Sequence, residues 1–85
     1  MIHALKIKAK YLSEIMSGDK TFEVRKNDRD FRVEDFIGFN EVNEKGYYTG
    51  ASQLVRINYI LSDSEYCKDG YVILGIEKHK IVAEA

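Results

Sequence analysis

Apolar and polar residues alternate through much of this 85-residue chain, and the period changes where glycines or charged clusters interrupt it. Ile2 to Lys8 alternates, with Ile2 and Ala4 opposite His3, Leu5 and Ile7, which predicts a strand with one lysine-bearing face. Tyr11, Leu12, Ile15 and Met16 then recur at helical spacing, and Gly18 stands where a left-handed C-cap belongs, so a helix of about two turns is expected. Thr21 to Arg25 returns to a period of two, with Phe22 and Val24 on one face and Thr21, Glu23 and Arg25 on the other. The polar set must meet solvent, a cleft or other polar groups.

Lys26 to Asp35 is densely charged and reads as a structured loop anchored by Phe31 and Val33. A third strand runs from Phe36 to Val42, Asn43 to Gly46 is a turn signal, and Leu54 to Leu61 is the return arm. Alternation puts Val55, Ile57, Tyr59 and Leu61 on the buried side of that arm, with Tyr47 and Tyr48 near the hairpin tip. Ser62 to Gly70 is polar, with room for one helical turn, and Tyr71 to Ile76 is a mostly apolar final strand. Five strands, one short helix and no βαβ repetition predict an α+β domain whose sheet curls into a barrel or half-barrel. Residues 1–77 are expected to form this domain and residues 78–85 a fraying tail.

Charge alters the picture more than composition does. The totals of 13 basic and 14 acidic side chains nearly cancel. Residues 1–32, however, hold eight bases and five acids, and residues 33–85 hold five bases and nine acids. Such a split can create a local positive surface for an anionic partner, or simply two solvated faces. The single cysteine, Cys67, excludes an intramolecular disulfide and a multi-thiolate zinc site. No apolar run approaches the roughly 20 residues of a membrane span, and Met1 to Lys10 has no continuous apolar stretch, so a cytoplasmic location is expected.

Chemistry is densest at Gly18-Asp19-Lys20-Thr21-Phe22-Glu23-Val24-Arg25, followed by Lys26-Asn27-Asp28-Arg29-Asp30-Phe31. Lys20 falls at the junction of helix and strand, and Glu23 and Arg25 project from the same strand face. A carboxylate and a guanidinium two residues apart can pair with each other, or can fix a cleft in which Lys20 and Arg25 meet an anion.

This stretch resembles the ASCH domain (activating signal cointegrator homology), a branch of the PUA-like superfamily whose pattern G-x-K-x-x-E-x-R is met by Gly18, Lys20, Glu23 and Arg25. The Lys26 to Phe31 continuation is similar to that of short stand-alone bacterial and phage members, and the likeness extends from Leu5 to Ile76. It implies a small PUA-like β-barrel with the helix flanking a cleft, and binding of RNA or a nucleotide-like ligand there. On that reading Lys20, Arg25, Lys26 and Arg29 supply donors, Glu23 orients them and Asn27 adds polar recognition. Some relatives are hydrolases of modified nucleosides or RNA. For that activity the resemblance puts Lys20 and Glu23 in the catalytic position, with Thr21 and Glu65 as further candidates. Two departures stand out. Glu34 occupies a position where members often have glycine, and Glu23 takes the place of a threonine found in relatives that act on acylated cytidine.

The remaining polar residues form no comparable pattern. His3, His79 and Cys67 lack ligand spacing, so no metal and no cofactor are expected. Tyr47, Tyr48 and Tyr66 can stack on bases, although packing is the commoner use of such residues. A protein partner is the third reading, favoured if apolar residues are exposed on the hairpin.

Overall fold

In a computed structural model the chain, described here over residues 1–79, forms five strands and one helix. Strand β1 (Ile2–Lys8) leads directly into helix α1 (Ala9–Ser17), followed by β2 (Phe22–Lys26), β3 (Phe36–Val42), β4 (Tyr48–Leu61) and β5 (Tyr71–Lys78). The sheet order is β1-β3-β4-β5-β2, with β1 parallel to β3 and all other neighbours antiparallel. This is a small α+β half-barrel. Its two edges, β1 and β2, come from adjacent stretches of sequence joined by α1, which packs against β1, β3 and β4.

The core is made by one face of each strand and one stripe of the helix. Leu5 and Ile7 from β1, Leu12 and Ile15 from α1, Ile37 and Phe39 from β3, Val55 and Ile57 from β4, and Val72, Leu74 and Ile76 from β5 are buried. Burying a side chain of this size contributes roughly 1.5–3 kcal/mol, which is how a chain without disulfides sustains a fold. The helix ends where expected: Gly18 takes φ 87° and its N–H donates to the Ile15 carbonyl at 3.1 Å.

Two sequence expectations fail, and the alternatives left open for the polar face of β2 are resolved. On β2 Glu23 is buried toward the cleft, and Phe22 and Val24 are about half exposed. On β4 the register shifts between Ile57 and Tyr59, so that Asn58 is an extra residue against β5 and Tyr59 turns outward, 63% exposed. Gly75 makes room for this bulge, because a Cβ there would lie 2.6 Å from Asn58 Oδ1 and 3.0 Å from the Tyr59 Cβ. Of the two loop anchors only Phe31 is buried; Val33 is exposed.

The entry into β3 is held by polar contacts. Asp35 is buried and accepts from His3 Nε2 at 2.7 Å and from the Arg32 N–H at 3.2 Å, while Phe31 packs on the His3 ring with centroids 4.7 Å apart. Glu34 adopts φ 79°, the left-handed turn that glycine makes without strain, and its carboxylate pairs with Arg56. Between β4 and β5 the chain makes one turn on the Asp63 carbonyl, which accepts from the Tyr66 and Cys67 N–H groups. Strand β5 runs through Lys78, and the His79 N–H still donates to the Leu54 carbonyl. The rest of the expected tail lies outside the described residues.

Two measurements check this architecture. A Cβ on Gly18 meets no atom within 4 Å, so Gly18→Val is expected to cost only backbone strain, about 1–2 kcal/mol, read as a lower urea midpoint with an unchanged slope. The hydrogen bond from His3 outweighs burial and holds the Asp35 carboxyl below the usual carboxylate range. A lowered folded-state value means that Asp35 stabilises the fold fully above the ordinary aspartate pKa of about 3.9, and that this contribution is lost as pH falls through the depressed value. Asp35→Asn should therefore lose less stability than the parent between pH 5 and pH 2, the decline being followed by urea unfolding.

Candidate functional site

Strand β2 places Glu23 and Arg25 on the inner side of the half-barrel and Lys20 at its entrance. Alternation fixes this: Val24 faces the outside, so its neighbours must face in. The Glu23 carboxylate receives Lys20 Nζ on Oε1 and Arg25 Nε on Oε2, the latter at 2.8 Å. Lys20 also donates to the Phe22 carbonyl at 2.7 Å, and its ammonium lies 5.6 Å from the Tyr11 ring centroid and 5.3 Å from that of Phe22. Arg25 rests over the Phe39 ring and sends its terminal nitrogen to the Lys6 carbonyl of β1 at 2.7 Å. One carboxylate thus organises two cations, and one of those cations joins the two open edges of the sheet.

The gap between these edges is a cleft of about 660 Å³. Its walls carry five cations, Lys6, Lys8, Lys20, Arg25 and Lys26, against three carboxylates, Glu14, Asp19 and Glu23. Tyr11 and Tyr71 add aromatic surface. Lys20 and Arg25 are bound to Glu23, but Lys6, Lys8 and Lys26 have no carboxylate at ion-pair distance among the described residues. The electrostatic consequence is a division of labour: a neutralised cluster at the base and solvent-facing lysines around the mouth.

Of the residues singled out in the sequence, Lys20, Glu23, Arg25 and Lys26 gather at this cleft. Asn27 does not line it; its N–H extends the β2–β5 ladder to the Gly70 carbonyl. Arg29 is exposed beside Asp28 in the following loop, the Thr21 carbonyl accepts from the Ile76 N–H, and Glu65 belongs to the turn after β4. None of these three lines the cleft. Tyr47 and Tyr66 are exposed away from the cleft and Tyr48 does not line it, although the Lys6 ammonium lies 5.7 Å from the Tyr48 ring centroid; the aromatic residues of the lining are Tyr11, Phe22 and Tyr71. Lys6 and Lys8 were visible as a lysine-bearing strand face, yet nothing in local sequence places that face opposite β2. Among the described residues there is no group of three His, Cys, Asp or Glu side chains able to hold a metal ion, and no helix long and apolar enough to cross a membrane.

The fold and site define a small half-barrel domain with a cation-rimmed cleft between its edge strands. The chain belongs to the family described as a domain of unknown function (DUF3850), which matches residues 2–76. It is 34% identical over 83 residues to an uncharacterised 12.9 kDa protein in the GpA 3′ region of Escherichia phage P2, covering 98% of this chain and 71% of the phage protein. Its fold is similar to the crystal structure of the hypothetical protein PH0355, with a TM-score of 0.61 at 16% identity, covering 93% of this chain and all of that one.

The buried cluster makes a test possible. Glu23→Ala leaves two largely buried cations without a counter-charge and should lower stability by about 3 kcal/mol. Pairing Glu23→Leu with Lys20→Met should recover part of that loss, since apolar replacement of a buried ion pair is often close to neutral. Urea unfolding of the single and double variants measures both.

Proposed function

We propose that the cleft binds single-stranded RNA or a nucleotide-like anion, as the ASCH resemblance implies. The observation that carries this reading is the rim of Lys6, Lys8 and Lys26, which have no carboxylate at ion-pair distance among the described residues, in the same lining as Tyr11 and Tyr71. Ammonium groups at such positions meet phosphates, and tyrosine faces accept any base. In this reading Lys20, Glu23 and Arg25 shape the cleft and hold its edges, and the rim lysines contact the ligand's phosphates. The Lys20 Nζ is committed to Glu23 and to the Phe22 carbonyl. That commitment favours binding over the hydrolase reading.

Binding through a rim of lysines must weaken with salt, because each phosphate contacted releases condensed counterions. Three contacts to single-stranded RNA give a slope of log affinity against log salt of about −2. Lys8→Ala and Lys26→Ala should each flatten this slope by about 0.7. Arg56→Ala, at the remote Glu34 and Glu77 cluster, should leave it unchanged. Fluorescence anisotropy of a labelled oligouridylate over a range of salt concentrations measures the slopes. Absence of binding at low salt, or equal losses for Lys26→Ala and Arg56→Ala, would rule out the cleft as a nucleic-acid site.

A further inference from the structure

The cleft is well supplied with charge for phosphates and poorly supplied with groups that read a base. Lys20, Glu23 and Arg25 are bonded to one another, and the rim consists of ammonium groups, which donate and never accept. Base edges carry donors and acceptors side by side, so a site that reads them needs amides, hydroxyls or carboxylates that the fold has not consumed. Such groups gather in a second cavity, of about 130 Å³, where β2 ends, β5 begins and the turn after β4 closes over both.

The backbone frame of this cavity is fixed. The Asn27 N–H donates to the Gly70 carbonyl at 2.8 Å, and the Tyr71 N–H returns to the Lys68 carbonyl at 2.9 Å in a tight turn that Gly70 permits at φ 80°. Asn27, Ser62, Ser64, Lys68 and Asp69 line the walls. Among the described residues, Cys67 is the one polar side chain of the lining that bonds within the domain, donating from Sγ to the Leu61 carbonyl at 3.3 Å. An amide, two hydroxyls, an ammonium and a carboxylate are thus left for a ligand. One cation and one carboxylate balance, which suits a neutral base better than a phosphate. Tyr71 lines this cavity and the cleft alike. It pairs in register with Lys26 of the cleft rim, and the Lys68 ammonium lies 5.3 Å from its ring centroid. A chain crossing from one cavity to the other therefore passes Tyr71 between two lysines, neither of which has a carboxylate at ion-pair distance among the described residues.

We infer that this second cavity is the subsite for the base adjacent to the one in the cleft, so that the ligand is a single-stranded oligonucleotide of at least two nucleotides and not a mononucleotide. The inference rests on the nucleic-acid reading of the cleft and specifies its ligand. Lys26 and Lys68 flank the linking phosphate, Tyr71 lies between the two bases, and Asn27, Ser62, Ser64 and Asp69 bond the edge of the second base. Asn27, absent from the cleft, acts in this cavity.

The test uses the 5′-phosphorylated uridine dinucleotide and two forms of it that lack one or the other base, all of equal charge, titrated into the isotopically labelled protein and followed by backbone amide resonances. Each form lacking a base should bind about tenfold more weakly than the dinucleotide. The form without the cavity base should shift cleft amides while leaving those of Ser64 and Lys68 in place. A double variant, Asn27→Ala with Ser64→Ala, should weaken the dinucleotide about tenfold and leave the affinity of that form unchanged, because the groups it removes have no base to bond there. Neither side chain bonds within the domain, so the urea midpoint should stay where it is. Cys67 gives a second readout in the unaltered protein: the dinucleotide should slow its alkylation by iodoacetamide, and the form without the cavity base should not. Full affinity for both forms lacking a base, or equal weakening of the two by the double variant, overturns this inference and leaves the cleft reading standing. No binding of the dinucleotide or of an oligouridylate at low salt removes the cleft reading and this inference with it.

Discussion

The half-barrel depends on how Glu23 is neutralised. A carboxylate withdrawn from water is tolerated only when paired and hydrogen-bonded, and here both oxygens are engaged, one by Lys20 and one by Arg25. The same pairing fixes Arg25 in an orientation from which its remaining nitrogen reaches the Lys6 carbonyl. That single hydrogen bond crosses the opening between β1 and β2, the two strands that end the sheet. An ion cluster thus does at the seam of the barrel what ladder hydrogen bonds do elsewhere.

A consequence is that the motif's charged residues serve structure and site together. Lys20 and Arg25 are cations, but most of their charge is spent locally on Glu23. Positive potential at the mouth of the cleft comes instead from lysines on the two strands that α1 connects, Lys6 and Lys8 on β1 and Lys26 on β2. The hinge between these strands is α1, whose end at Gly18 turns the chain toward Lys20. The placement of the cleft therefore follows from a short helix ended by a residue that accepts a positive φ.

The opposite end of the domain uses a different solution to the same problem of buried polarity. Asp35 is held by His3 and a backbone N–H where the chain enters β3, and the preceding Glu34 tolerates a left-handed conformation while its side chain pairs with Arg56. The position where the resemblance leads one to expect glycine is thus one where the backbone makes a turn natural to glycine. In β4 the Asn58 bulge bends the strand and reverses the facing of Tyr59, and Gly75 opposite is the residue that leaves space for it.

By itself the sequence determined which segments become strands, where the helix stops, and that Glu23 and Arg25 share a face, because these follow from local periodicity and from the conformational freedom of Gly18. It also marked the stretch from Lys20 to Lys26 as the chemical centre of the chain. Tertiary structure decided which face of β2 was inside: a polar face could turn inward only because Lys20 and Arg25 were present to neutralise Glu23, and hydropathy counts residues without regard to such partners. It also decided that Lys6 and Lys8 oppose β2, and that Asn27, Arg29 and Glu65 do not join them. Those outcomes depend on strand order and on a one-residue bulge, and a period-two pattern contains no information about either until the strands have been paired.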